Sequence, residues 1–122
     1  MNSAKTLLIV DDSRVARLML RNIISVFRPQ WRIVEAENAE TALAAATAES
    51  PHYATLDYNM PGMNGMELAE QLLKSHPMLK AVLLTANIQD PIRQRALALG
   101  LSFVAKPITE KSCMQIVELL GE

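Results

Sequence analysis

The chain has 122 residues, of which 50% are hydrophobic and 20% charged, enough apolar material for one packed core and little more. A formal net charge of −1 argues against bulk electrostatic attraction to nucleic acid or to an anionic membrane surface. A single cysteine, Cys113, excludes an internal disulfide and a multi-cysteine metal site. No apolar run reaches the ~18 residues of a membrane span, and the polar opening has no signal-peptide pattern, so a soluble cytoplasmic protein is expected.

Residues 6–10 are an apolar run halted by Asp11-Asp12, as in a strand buried on both faces. Ser13 can cap a helix reaching about Arg28, with Arg14, Arg17, Arg21 and Arg28 on a solvated face and Val15, Leu18, Met19, Ile23 and Phe27 opposite. After Pro29, residues 31–36 alternate as a more exposed strand, with Trp31 as packing or a rim contact. Asn38 can cap an alanine-rich helix over 39–49. Residues 52–56 form a weaker strand candidate, because Thr55 interrupts it.

Residues 59–65 read as a loop in which Met60 and Met63 could offer an adaptable contact surface. Met66, Ala69, Leu72 and Leu73 mark the buried side of a helix ending near His76-Pro77. Residues 81–84 are a fourth strand stopping at Thr85. Residues 90–99 are a helix with Pro91 in its first turn and Gly100 beyond it. Residues 101–105 are a fifth strand, broken by Pro107. A last helix, capped near Thr109, should bury Cys113, Ile116, Val117 and Leu120. Five strands alternating with five helices predict a single domain over 1–122, an α/β doubly wound five-stranded sheet with helices on both faces. His52 and His76, beside prolines in loops, are read as surface residues.

Ionisable or hydroxylic residues follow four of the five strands: Asp11 and Asp12, then Asp57, Thr85 and Lys106. In an open parallel sheet, ligands bind outside the carboxyl ends of the strands where strand order reverses. If the first, third, fourth and fifth strands adjoin, these residues share one pocket. Three close carboxylates repel one another and require a cation or a shared proton. An all-oxygen set without nearby histidine or cysteine suits Mg²⁺ better than zinc. Lys106 and Thr85 could bind the remaining oxygens of a phosphoryl group, and Asp57 is the candidate nucleophile because Asp11 and Asp12 serve the metal.

The pieces Val10-Asp11-Asp12-Ser13, Leu56-Asp57-Tyr58-Asn59-Met60-Pro61-Gly62, Leu84-Thr85-Ala86 and Lys106-Pro107, in this order, resemble the signature set of response-regulator receiver domains, over essentially the whole chain. Within that family the chain is similar to stand-alone chemotaxis-type (CheY-like) receivers. It implies a flavodoxin-like strand order 2-1-3-4-5 and Mg²⁺, with Mn²⁺ an acceptable substitute. Asp12 and Asp57 would bind the ion through carboxylates, Asp11 chiefly through water, and Asn59 through its backbone carbonyl. Asp57 would take a phosphoryl group from a phosphohistidine on a sensor histidine kinase or phosphotransfer protein. Thr85 with Ala86, and Lys106, would grip it.

Phe103 matches the family's aromatic switch, expected to turn inward and alter a surface of fourth helix, fifth strand and fifth helix that meets a downstream protein. A phosphorylation-linked dimer through the last-helix surface is left open. Asn59 and Asn87 would tune dephosphorylation. Departures are Phe103 where several members have tyrosine, Leu101 where a small residue is usual, and a more polar third strand at His52-Tyr53-Ala54-Thr55.

Three other readings compete. A haloacid-dehalogenase-type phosphatase needs an aspartate and a threonine where this chain has Asn59 and Pro61. A flavin module needs a Gly/Ser/Thr-rich phosphate loop where this chain has Asp11-Asp12-Ser13. A phosphorylation-independent docking module on the same fold is the remaining alternative. Met1 and the chain's end after the last helix favour a stand-alone switch, one that modifies itself and is no turnover enzyme, with no nucleic-acid or membrane partner.

Overall fold

The computed structural model describes residues 5–86 and 89–120. Its elements are β1 (Thr6–Val10), α1 (Arg14–Phe27), β2 (Arg32–Ala36), α2 (Ala39–Glu49), β3 (Tyr53–Asp57), α3 (Gly65–Ser75), β4 (Lys80–Thr85), α4 (Asp90–Ala98), β5 (Ser102–Ala105) and α5 (Glu110–Leu119). All strand pairs are parallel and the sheet order is β2-β1-β3-β4-β5. β1 is wholly buried between β2 and β3, which is why its sequence is a continuous apolar run.

Alternation along the strands divides the core into two layers. Leu7, Ile9, Val82, Leu84 and Val104 pack on α1 and α5 through Leu20, Ile24, Ile116 and Val117. Leu8, Val10, Ala54, Leu56 and Leu83 pack on α2, α3 and α4 through Ala42, Ala46, Leu68, Leu72 and Ala96.

Side-chain caps set the helix starts. Ser13 accepts the Ala16 N–H at 3.2 Å, and Asn38, Asn64 and Thr109 each open a helix with a reciprocal capping box. Gly100, just past α4, has φ +79°, the left-handed turn that glycine adopts without strain.

Several sequence expectations need correction. The buried stripe of α1 is Leu20 and Ile24, whereas Val15, Leu18 and Met19 are exposed. Arg17 and Arg21 turn toward β2, where Glu35 accepts from both, so the arginine face is not simply solvated. The third strand is fully buried despite Thr55. Met60 is a core residue rather than a contact surface. His52 is more than surface, since its Nδ1 accepts the Thr6 N–H at 3.0 Å and joins the starts of β1 and β3. Trp31 is buried and its ring lies 4.8 Å from that of Tyr53, the packing role expected.

Candidate functional site

Because β1, β3, β4 and β5 are contiguous in the sheet, their carboxyl ends form one rim. Asp57 is the last residue of β3, Thr85 the last of β4, and Asp11 and Lys106 immediately follow β1 and β5. Backbone bonds carry the pairing past the strand ends. The Asp11 N–H donates to the Ala36 carbonyl (3.1 Å), Tyr58 N–H to Leu84 (2.8 Å) and Lys106 N–H to Thr85 (3.0 Å). The loops that carry the site are thereby held to the sheet.

Asp11, Asp57 and Thr85 are buried, while Asp12 is exposed. Each of the three aspartates offers a carboxylate oxygen within 4.8 Å of the other two. Lys106 Nζ lies 2.8 Å from Asp57 Oδ1 and 3.7 Å from Asp11 Oδ2. The Ser13 N–H donates to Asp11 Oδ1 at 2.9 Å. Asp11 Oδ2 is buried and has no hydrogen-bond partner among the described residues.

Burial raises the Asp57 carboxyl above its ordinary value and the Asp11 and Asp12 charges raise it further, against the Lys106 ammonium, which lowers it. Burial works against the Lys106 ammonium, but its hydrogen bond to Asp57 and the carboxylate charges prevail and raise it. Asp11, Asp12 and Asp57 could together hold a metal ion. Hard oxygens converge, and one lysine faces two buried carboxylates. Mg²⁺ fits this donor set.

Alternation sorts the other residues. Asp57 shares its face with Tyr53, on the α1/α5 side, whereas Thr85 follows Leu83 and Phe103 onto the α4 side. Thr85 pairs with Ala105 and Leu83 with Phe103, which puts the two expected switch residues on one face of adjacent strands. The Phe103 ring is half-buried, with the Arg93 guanidinium 5.3 Å from its centre. Ala86 and Asn59 are exposed at the rim. Leu101 is buried in the α4-side core, so this departure is packing. Asn87 lies outside the described residues.

Two features escaped the sequence reading. Gly65 opens α3 rather than ending a loop, and a Cβ there would meet the Asp57 carbonyl oxygen at 2.4 Å. The Asn64–Glu67 spacing of a capping box was the signal available. Arg17 reaches the Asp11 carbonyl at 2.7 Å, a contact no single-helix pattern reveals. A concavity of about 540 Å³ opens among Lys5, His52, His76 and Lys80 at the amino ends of the strands, away from the carboxylates.

A family model described as the response regulator receiver domain matches residues 7–118. The cyclic di-GMP phosphodiesterase response regulator RpfG of Xanthomonas campestris pv. campestris is 36% identical over 120 residues, covering 93% of this chain. The chain spans only 32% of RpfG, and the phosphodiesterase activity in that name belongs to the longer protein. The chemotaxis protein CheY of Listeria monocytogenes is 32% identical over 114 residues, covering 92% of this chain and 94% of CheY. Among solved structures, Vibrio cholerae CheY4 superposes with a TM-score of 0.86 at 21% identity, covering 97% of this chain and 99% of that one, a likeness of fold. With the family's model spanning nearly all of the sequence and its strand order observed in the sheet, the chain belongs to the response regulator receiver domain family, the CheY-like receivers of two-component signalling.

Proposed function

We propose that residues 1–122 work as one phosphoacceptor unit whose nucleophile is Asp57. The observation that carries this is the placement of Lys106 Nζ 2.8 Å from Asp57 Oδ1 beside a cluster of three carboxylates at one rim of the sheet. An Asp57 oxygen attacks phosphorus as the bond from phosphorus to a donor histidine nitrogen breaks, and the donor ring, protonated on its other nitrogen, keeps the bond's electron pair and leaves as neutral imidazole beside an aspartyl phosphate.

Asp11, Asp12, Asp57 and the Asn59 backbone carbonyl would hold Mg²⁺, or Mn²⁺ in its place. When bound, the ion offsets the charge of the carboxylates and of the phosphoryl oxygens. Lys106 moves from a carboxylate partner to a phosphoryl oxygen, and the Thr85 hydroxyl, with the Ala86 backbone beside it, binds another. Because Thr85 and Phe103 share the α4 side of the sheet, movement of the hydroxyl frees room for the ring to turn inward. That biases the α4-β5-α5 surface toward a second population. Asn59 and Asn87 would tune the lifetime of the phosphoryl group. The partners are a sensor histidine kinase or phosphotransfer protein and a downstream protein, met in the cytoplasm. No helix among the described residues is long and apolar enough to cross a membrane. The chain acts on its own aspartate and not on a separate substrate.

Incubation with acetyl phosphate and Mg²⁺ should add one phosphoryl group to the intact mass. Asp57→Asn or chelation should abolish the gain. Wild-type protein that stays unmodified with that donor and with histidine kinases would leave the docking module as the function.

A further inference from the structure

Two arginines of α1 pair with β2, and only one of them also reaches the acidic turn. Arg17, whose side chain is 13% exposed, donates from Nη1 to the Asp11 carbonyl at 2.7 Å and from Nε to Glu35 Oε1 at 3.0 Å. Arg21 donates from Nε to Glu35 Oε2 at 2.7 Å and from Nη2 to the Ile33 carbonyl at 3.2 Å, so its contacts are with β2. Asp11 is held on both sides of its α-carbon. Its N–H donates to the carbonyl of Ala36, its own carbonyl accepts from Arg17, and its Oδ1 accepts the Ser13 N–H. Its buried Oδ2 makes no close hydrogen bond and faces only the Lys106 ammonium, 3.7 Å away, among the described residues.

A guanidinium presents its donors in a rigid planar fork, which lets one side chain span a carbonyl and a carboxylate with little freedom left. Resting on the divalent-cation reading of the site, we infer that Arg17 is a positioning residue for that cation, fixing the turn that carries Asp11 and Asp12, and that Glu35 fixes Arg17. Simple electrostatics makes the opposite prediction. A positive group on the turn that carries Asp11 and Asp12 repels an incoming cation, so on charge alone its removal tightens Mg²⁺ binding. Geometry and charge therefore differ in sign.

The test is a titration of wild type, Arg17→Gln, Arg17→Lys, Arg21→Gln and Glu35→Gln with MgCl₂ and no phosphodonor. It is followed by calorimetry and by the backbone amide shifts of Asp12 and Ser13. Arg17→Gln should weaken Mg²⁺ by about tenfold, the loss typical when a group supporting a ligand is removed. Arg17→Lys should be weakened too, because an ammonium cannot bridge both acceptors, and Glu35→Gln by a smaller factor. Arg21→Gln loses a comparable ion pair and should bind Mg²⁺ as wild type does, which separates positioning from a general loss of stability. Unchanged or tighter binding in Arg17→Gln, full rescue by Arg17→Lys, or equal weakening in Arg21→Gln overturns the inference. A wild type whose amides do not respond to Mg²⁺ overturns the cation reading and this inference with it. A responsive wild type beside an equally responsive Arg17→Gln overturns the inference alone.

Discussion

Helices α4 and α5 each begin a few residues past a site residue, Thr85 and Lys106, yet the sheet holds them in different ways. α5 starts on a reciprocal cap. Ser112 N–H donates to Thr109 Oγ1 at 3.0 Å, Thr109 N–H donates to Ser112 Oγ at 2.8 Å, and the Ser112 hydroxyl also donates to the Pro107 carbonyl at 3.1 Å. It buries Ser112, Cys113, Ile116 and Val117. α4 has no side-chain cap at Gln89 and buries Ala96 alone. Beside the partly buried Ile92, its lateral ties are polar: Arg95 pairs with Glu70 of α3, and Arg93 lies over Phe103. Apolar burial fixes an element, whereas exposed ion pairs contribute little and yield to a change of nearby charge. The pocket therefore has one rigid wall and one compliant wall, and the compliant wall is on the side of Thr85 and Phe103.

The contrast can be broken by truncation. Ile116→Ala in α5 should cost about 2–5 kcal/mol, the range for a large side chain removed from a packed core. Ile92→Ala in α4, only partly buried, should cost under about 1 kcal/mol. Denaturant melts that give equal losses would remove the distinction. A second probe is the α5 thiol. Burial pushes Cys113 from 9.0 up to about 11, so the folded chain keeps a proton that the unfolded chain releases. Stability should be unaffected by this group below pH 9 and fall as the pH rises from 9 toward 11. Cys113→Ala, whatever its own stability, should lack that slope in parallel melts.

The smallest effects concern the caps. Thr109→Ala should lose about 1 kcal/mol, while Gln89→Ala should be near neutral, because no capping bond is there to lose. Gln89→Asp should gain about 0.5–1 kcal/mol, since an aspartate at that position can accept from the Ile92 N–H, Pro91 having none to donate. Thermal melts that rank the two alanine variants the other way would invert the comparison.

Legibility followed the same division between apolar and polar ties. Every strand was visible, β1 as an apolar run because it is buried on both faces and β2 by the alternation of a more exposed strand. The buried set of α5 was read correctly as Cys113, Ile116, Val117 and Leu120, since its periodicity is complete. In α1 the same logic misassigned Val15, Leu18 and Met19. Glu35, on a neighbouring strand, draws Arg17 and Arg21 toward the protein, and a charge partner distant in sequence leaves no mark on one helix's periodicity. Met60 looked like loop surface because the turn around it is polar, but it packs into the core. The aspartates, Thr85 and Lys106 could be named from strand ends alone. Arg17's reach to the Asp11 carbonyl needed a fold in which α1 lies over β2.

The close seating of Gly65 against the Asp57 backbone has a consequence for anyone redesigning this chain. A single methyl at position 65 acts as a wedge behind Asp57, against main chain that cannot step aside cheaply. Such a variant would retain all the reactive groups and still lose their alignment, a lesion that inspection of the pocket's side chains alone would overlook.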